Sequence, residues 1–290
     1  MTEITLNSPQ QEVMVAPLEP QRVASQVRVR TLAITSGKGG VGKTILTVNL
    51  AIEMARAGLR VTVFDADLGL ANIHILMGMR PEYTLMEVIH GEKRLRDVIA
   101  ETPFGVQIVA GGNGILELSK LSSEKQHALI DSFSELSDSA DVLLVDTGAG
   151  ISPNVMNFLR AADQIIIVTS TDITSMMDAY GVIKSIQEAN GSSDIALITN
   201  LIRASKQAHI VYEKINSIAE RFLDFTIKDY GFVYEDKLAV QSVQRRTPFV
   251  ISHPRSRLSI CVHDIAQHVI RGESKPRRGS FLSRLLGLFR

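Results

Sequence analysis

This 290-residue sequence is poor in cysteine and has no excess of positive or negative charge. Its one cysteine, Cys261, cannot form a disulfide within the chain or supply an all-cysteine metal site. We therefore expect a reducing, cytoplasmic compartment. Lysine and arginine together number 31, and so do aspartate and glutamate. This balance argues against a protein that coats nucleic acid over its whole surface, although a local basic patch is compatible with it.

Long apolar runs and a secretory leader are missing as well. No run approaches the roughly 20 apolar residues that a membrane-spanning helix needs. Residues 1–21 are polar and contain prolines, without the basic stretch and apolar core of a signal peptide. We expect a protein that is made and kept inside the cell.

What is present is an alternation of short apolar runs with longer helical patterns. Near-continuous apolar runs such as 142–145 are typical of strands that are covered on both faces. Strands alternating with helices predict an α/β fold with a doubly wound, mostly parallel sheet and helices on both faces. The predicted strands are 30–35, 60–65, 106–110, 141–146, 164–169, 194–200 and 225–231. The predicted helices are 43–57, 123–137, 151–160, 176–189, 205–222 and 257–271.

These patterns divide the chain into four parts. Residues 1–29 predict a flexible arm, and residues 30–271 predict a P-loop ATPase domain. Residues 272–280 are polar, basic and contain proline and glycine, which predicts a linker. Residues 281–290 return to an apolar pattern and predict a separate amphipathic helix.

The segment 37–44 matches the phosphate-binding pattern G-x-x-x-x-G-K-[ST] at every position. It follows a predicted strand and opens a predicted helix, which is the context this motif needs. Backbone N–H groups of the glycine-rich loop would face phosphate oxygens, and the helix would add its positive N-terminal end. Lys43 would reach the β- and γ-phosphates of ATP, and Thr44 would ligate Mg²⁺. The predicted binding residues are Gly37, Lys38, Gly39, Gly40, Val41, Gly42, Lys43 and Thr44.

Acidic residues end two of the predicted strands. Asp65 and Asp67 follow one strand, and Asp146 ends another before a glycine-rich segment that contains Gly148. Ligands of such sheets bind at the carboxyl ends of the strands, so these carboxylates would face the nucleotide. One could hold Mg²⁺ or its water and another could orient the attacking water, while Gly148 could sense the γ-phosphate. Ordinary acidic turns are the alternative.

Residues 38–44 resemble the deviant Walker A box of the MinD/ParA superfamily. The resemblance implies that Lys38 reaches the nucleotide of a partner subunit, so that ATP joins a homodimer; a solvated loop lysine is the alternative. It assigns catalytic roles to Lys38, Lys43 and Asp67, and it places Asp65 near the metal. Thr44 and Asp146 are the other implied metal-site residues.

The same resemblance implies where the base would bind. Asn200, at the end of a predicted strand, has an amide that suits the edge of adenine, and Arg203 follows in the same loop. A second base contact is expected in residues 232–236. The superfamily usually has a proline where this chain has Tyr234.

Within the superfamily, segments 65–72, 84–91, 95–99, 146–152 and 174–180 resemble the FlhG (or FleN) branch. That branch implies control of flagellar number and placement. The implied partners are an FlhF-type GTPase, components of the flagellar C-ring and, in some lineages, a flagellar transcription activator. In the arm, only Gln21 agrees with the Asp-Gln-Ala motif through which such proteins stimulate FlhF, so activation by this arm is not supported.

The last ten residues carry an amphipathic pattern. Leu282, Leu285, Leu286 and Phe289 recur on one face of a helix, and basic residues precede and interrupt them. The pattern predicts an in-plane anchor on anionic lipid at the inner face of the cell membrane. So short a helix is marginal alone in water, so we expect it to order on a surface. Docking on its own domain is the alternative.

Two other function classes share the phosphate loop. A ParA-like partition ATPase would bind DNA with strong salt dependence, which the balanced charge and the apolar tail argue against. An iron–sulfur carrier of the same fold would need paired cysteines, and small-molecule ligases would leave the tail unexplained.

Overall fold

The strands and helices agree closely with the predicted alternation. The computed structural model describes residues 29–67, 72–112, 117, 121–122, 125–126, 129–130, 140–190, 194–272 and 279–289. The strands are β1 (Arg30–Ser36), β2 (Val61–Ala66), β3 (Ala100–Glu101), β4 (Val106–Ala110), β5 (Val142–Ala149), β6 (Gln164–Thr169), β7 (Asp194–Ile202) and β8 (Lys228–Tyr234). Almost all of the predicted arm 1–29, most of the linker 272–280 and most of the predicted helix 123–137 lie outside the described residues.

The helices lie between most of these strands. They are α1 (Lys43–Arg56), α2 (Ile73–Leu76), α3 (Leu85–His90), α4 (Leu95–Val98), α5 (Pro153–Ala161), α6 (Ile173–Asn190), α7 (Ser205–Leu223), α8 (Lys237–Gln244), α9 (Phe249–Ser252), α10 (Arg257–Arg271) and α11 (Phe281–Gly287). None of the described helices is long and apolar enough to cross a membrane.

One sheet carries the eight described strands in the order β3-β4-β2-β5-β1-β6-β7-β8. Each neighbouring pair is parallel except β3 and β4, where the two-residue edge strand runs antiparallel. The inner strands are buried along almost their whole length, as in β2 and β6, because helices cover both faces and form two apolar clusters. The prediction of a doubly wound, mostly parallel sheet is confirmed.

Several strand boundaries differ from the prediction, and the largest shifts are in β8 and β5. The strand predicted at 225–231 begins at Lys228, because Asp224 takes a φ of 48° and Ile227 donates its N–H to Asn216 Oδ1 of α7 instead of to the sheet. The strand predicted to end at Asp146 continues to Ala149, since pairing with β1 extends beyond it.

Short helices account for most of the missed structure. α3 had a readable signal: the Thr84 hydroxyl accepts the N–H of Met86, and Glu87 accepts the N–H of Thr84, which together form a capping box. α2, α4 and α9 have four residues each, too few for a hydrophobic period to be recognised.

The C-terminal helix α11 is docked on the domain, and this corrects the expectation that it orders only on a surface. Its apolar face is buried at Phe281, Leu282, Leu285 and Leu286. The Phe281 ring packs on Phe158 of α5 with centroids 6.3 Å apart. Arg284 adds polar contacts: its Nε donates to the Ala161 carbonyl at 2.6 Å, and its Nη2 lies 2.9 Å from Asp163 Oδ1. The apolar face of α11 is thus packed against the domain. Lipid binding stays a prediction.

Candidate functional site

The phosphate loop connects β1 to α1 at the carboxyl edge of the sheet. Gly40 and Gly42 have φ angles of 81° and 86°, a region that favours glycine. A Cβ on Gly37 would lie 2.2 Å from the carbonyl carbon of Asp178 in α6, so the loop packs directly on that helix. No side chain caps the start of α1, so its first N–H groups are available to phosphate oxygens.

Lys43 and Asp146 form a buried pair beneath the loop. Lys43 Nζ lies 3.2 Å from Asp146 Oδ1, with side chains 8% and 1% exposed. The hydroxyl of Thr47, one turn further along α1, donates to the same Asp146 oxygen at 2.8 Å. Burial raises the pKa of Asp146, while Lys43 and the neighbouring hydroxyls act in the opposite direction. Phosphate oxygens would give Lys43 a second anionic partner.

Asp65 and Asp146 occupy paired positions of the parallel strands β2 and β5. Burial, together with the charge of Asp146, raises the pKa of Asp65 to about 7. Asp65 also organises the segment that follows, since its two oxygens accept the backbone N–H groups of Asp67 and Ile73 at 3.3 and 3.2 Å. Two buried carboxylates therefore lie side by side at the edge where ligands of such sheets bind.

Asp67 and Gly148 approach each other at the same edge. Asp67 Oδ1 lies 3.6 Å from the position that a Cβ on Gly148 would occupy. β5 holds this segment to the phosphate-loop strand, since the Gly148 carbonyl accepts the Thr35 hydroxyl and Gly150 donates its N–H to the Ser36 carbonyl. The two acidic segments predicted around the nucleotide are therefore adjacent in space.

The residues present fit a Mg²⁺ ion. Asp146 Oδ2 is buried without a hydrogen-bond partner within the described part of the chain, and a cation or its water would satisfy that oxygen. Carboxylate and hydroxyl oxygens are the ligands that Mg²⁺ prefers, and Thr44 opens α1 at this point. Asp65 contributes charge nearby, but both of its oxygens already accept backbone N–H groups.

Lys38 extends away from the loop to the start of α6. Its Nζ lies 2.5 Å from Asp172 Oδ2 and 2.8 Å from the Thr174 hydroxyl. Lys38 and Asp172 keep 44% and 51% of their side-chain surface exposed. The ammonium group is thus held at the surface of its own chain, and an exposed pair of this kind dissociates at little cost.

The adenine side is arranged differently from the expectation. Asn200 Nδ2 donates to the Val41 carbonyl at 2.8 Å, and its Oδ1 accepts the N–H of Leu201. The amide therefore supports the phosphate loop. Arg203 turns towards Glu235, with its Nε 2.8 Å from Oε2 and its side chain 80% exposed, and its role at the base stays a prediction.

Tyr234 does not lie open for stacking on a base. The Arg257 guanidinium lies 3.8 Å from the centre of its ring. Phe232 contacts the same ring edge-on, with centroids 5.3 Å apart. The wall that the sequence left open is therefore covered by this chain's own residues.

Sequence reasoning missed three residues of the site, namely Thr47, Asp172 and Thr174. Thr47 lies four residues after Lys43 on a helix, so it shares a face with the phosphate-loop lysine, and that spacing could have identified it. Asp172 and Thr174 are more than 130 positions from Lys38 along the chain, and no pattern around Lys38 identifies them.

A family profile and curated relatives match this chain. The profile, described as an AAA domain, matches residues 29–199. The antiactivator FleN of Pseudomonas aeruginosa is 38% identical over 249 residues, which cover 86% of this chain and 89% of FleN. The flagellum site-determining protein YlxH of Helicobacter pylori is 36% identical over 190 residues, which cover 65% of this chain and 64% of YlxH.

Solved structures give the same fold. MinD in the MinC:MinD cell division complex of Aquifex aeolicus superimposes with a TM-score of 0.70 at 25% identity. The match covers 87% of this chain and 100% of the chain in that structure.

Proposed function

The chain belongs to the MinD/ParA superfamily of P-loop ATPases, and we propose that it is an ATP-dependent dimerising switch that regulates flagellar number and placement. Membership confirms the resemblance read from residues 38–44, and the chain is accordingly an ATPase that converts ATP and water to ADP and phosphate. The flagellar role is carried by one observation, the match over most of the chain to an antiactivator named FleN, with a flagellum site-determining protein as second support.

The phosphate end of ATP would bind where the loop and α1 present their N–H groups. Lys43, now paired with Asp146 at 3.2 Å, would place its ammonium group on the β- and γ-phosphates and neutralise charge that develops there. Mg²⁺, when bound, would supply positive charge that stabilises the negative charge developing on the phosphates. Thr44 and Asp146 would hold it.

Asp67 is the residue that we assign to the attacking water. Its carboxylate lies beside Gly148 at the edge where the γ-phosphate would end, so one oxygen could accept a proton of that water and align it. Departure of phosphate would release the Gly148 segment. We propose that hydrolysis is slow and that it times the switch.

Dimerisation would use Lys38. In the single chain its ammonium group is held by Asp172 and Thr174 at the exposed edge. A partner's triphosphate offers more negative charge than one exposed carboxylate, so ATP would draw Lys38 across the interface. ATP and Mg²⁺ would then be shared structural elements of the dimer.

The tail would give the dimer a location. Helix α11 buries the apolar face that would otherwise insert among lipid chains, so lipid binding requires its release from α5. Two released tails in one dimer would add avidity on anionic lipid. We propose that the protein is cytoplasmic and that it binds peripherally to the inner face of the cell membrane when ATP is bound. The proposed partners are an FlhF-type GTPase, flagellar C-ring components and a flagellar transcription activator.

The deciding experiment is to delete the gene and count flagella per cell, while measuring ATP turnover and ATP-dependent mass of the purified protein. We expect altered flagellar number with a working ATPase. Normal flagellar counts would reject the flagellar role and leave the ATPase intact. Salt-sensitive retention of the ATP-bound protein on non-specific DNA would favour the partition alternative.

A further inference from the structure

A cavity of about 520 Å³ lies apart from the phosphate loop, between the end of α2 and the end of α8. Its lining residues are His74, Ile75, Gly78, Met79, Arg80 and Arg246, none of them in segment 37–44. The volume is in the range of pockets for small organic molecules. We propose that this cavity binds a small organic phosphate, with Arg80 and Arg246 on the phosphate group and Ile75 and Met79 against the apolar part.

The charge of the cavity favours an anion. Both arginines line it, and none of the described lining residues is acidic. In the ranges that the structure covers, neither guanidinium takes part in an ion pair or hydrogen bond. Arginine presents a planar array of N–H donors that matches phosphate oxygens. Both side chains are exposed, so water solvates them in the free protein, and their combined positive charge favours a dianionic phosphate over a singly charged carboxylate.

The backbone around the cavity is fixed by close packing. Arg246 has a φ of 50°, which is uncommon for a residue with a side chain. A Cβ on Gly78, whose own φ is 68°, would lie 3.2 Å from the Arg246 carbonyl oxygen. The N–H of Met79 donates to the His74 carbonyl at 2.8 Å. These contacts hold the two arginine-bearing backbone segments against each other, so the wall of the cavity is formed before any ligand arrives.

The lining also has an apolar part. Ile75 is 42% exposed, and Met79 also lines the cavity wall. An inorganic phosphate ion would leave this surface in water. A ligand with a hydrophobic body would cover it, which is the reason for preferring an organic phosphate.

The test uses full-length protein saturated with Mg-ADP, which fills the α- and β-phosphate positions of the phosphate loop. The arginine variants then distinguish binding in the cavity from binding at the γ-phosphate position. Phenyl phosphate, inorganic phosphate and benzoate are titrated by calorimetry. We expect saturable binding of phenyl phosphate that is tighter than that of either other probe. Arg80→Ala and Arg246→Ala should each weaken it by roughly tenfold, which corresponds to the loss of one charge-assisted contact.

The matched control is Arg245→Ala, which removes the neighbouring exposed arginine that does not line the cavity. It should bind phenyl phosphate as the unmodified protein does, and thermal unfolding of each variant shows that it is folded. Equal affinity in the Arg80→Ala/Arg246→Ala double variant would overturn the proposal. So would the absence of saturable binding up to about 10 mM, where little specific free energy remains. Neither readout depends on ATP hydrolysis or on flagella.

Discussion

Arg284 of the C-terminal helix reaches Asp163, whose side chain is only 3% exposed, with Nη2 2.9 Å from Oδ1. Asp163 also accepts the N–H of Thr31 through its other oxygen at 2.9 Å. A surface helix is thus linked to a buried carboxylate. The same carboxylate joins the start of β1 to the residue that precedes β6. This pair makes the docked state of α11 a specific arrangement instead of a loose hydrophobic contact.

Loosening this pair should free the tail. Arg284→Met keeps the aliphatic stem but removes the guanidinium from the buried carboxylate of Asp163, so the free energy of unfolding should fall by about 3 kcal/mol. Nucleotide-free protein should also co-sediment more strongly with vesicles that contain anionic lipid, because the apolar face is released more often. Leu285→Glu is the counterpart that should reduce vesicle binding in every nucleotide state. If Arg284→Met left both stability and vesicle binding unchanged, the pair would not hold the tail.

The Lys38 contact predicts a separation of ATP binding from dimerisation. Lys38→Ala leaves the pocket of Lys43 and Asp146 intact, so a fluorescent ATP analogue should still bind, while light scattering with ATP should show a monomer. Asp172→Ala removes the competing carboxylate and should favour the dimer at lower protein concentration. Its thermal stability should not change measurably, because the pair is exposed. ATP-driven dimers of Lys38→Ala would contradict the trans-acting lysine.

Most of the sheet and the phosphate side of the site could be predicted from the sequence. Strands buried on both faces give continuous apolar runs, and the run ending at Asp146 shows directly where a carboxylate meets the sheet edge. The phosphate loop is local in sequence, so its motif specifies its geometry. Thr47 was not predicted, because a threonine inside a helix is common and its role depends on Asp146, which is about a hundred positions away.

The parts that could not be predicted depend on contacts distant in sequence. The amphipathic pattern of the tail is the same whether α11 meets lipid or α5, and only the structure shows Arg284 beside Asp163. Asn200 lies at the expected strand, but its amide is taken by the Val41 carbonyl. Arg203, in the loop that follows, pairs with Glu235 at the surface, a contact 32 positions away that the sequence does not indicate, and its role at the base stays a prediction.

Asp67 should set the rate of ATP hydrolysis, and formation of the ATP-bound dimer should not require it. Asp67→Ala removes the carboxylate beside Gly148 that we assign to the water, so kcat for ATP should fall by about a hundredfold or more. ATP affinity should change little, and the ATP-bound dimer should persist longer. Phosphate-release assays and dimer lifetimes measure the two effects. A variant that still hydrolyses ATP at the original rate would move the water-positioning role to another residue.

Asp65 predicts a pH dependence of stability in metal- and nucleotide-free protein. Its pKa is about 7 in the folded chain against a reference of 3.8, so the folded state binds the proton more tightly than the unfolded state. The resulting stabilisation is complete at low pH and is lost as pH rises through about 7. Between about pH 5 and pH 8 the free energy of unfolding should fall by roughly 3 kcal/mol on this account. Urea titrations with chelator present measure it, and Asp65→Asn should flatten the slope; parallel slopes would assign it to other groups.

Substitution by alanine should change the free energy of unfolding at one glycine of the phosphate loop and not at another. A Cβ on Gly37 would lie 2.2 Å from the backbone of Asp178, whereas a Cβ on Gly39 meets nothing within 4 Å. Backbone cannot move aside as a flexible side chain can, so Gly37→Ala should push the loop from α6 and lower the free energy of unfolding by about 3 kcal/mol. Gly39→Ala, with no such contact, should unfold as the unmodified protein does. Equal unfolding curves for the two variants would show that the loop does not pack on α6, because the two substitutions add the same methyl group two residues apart.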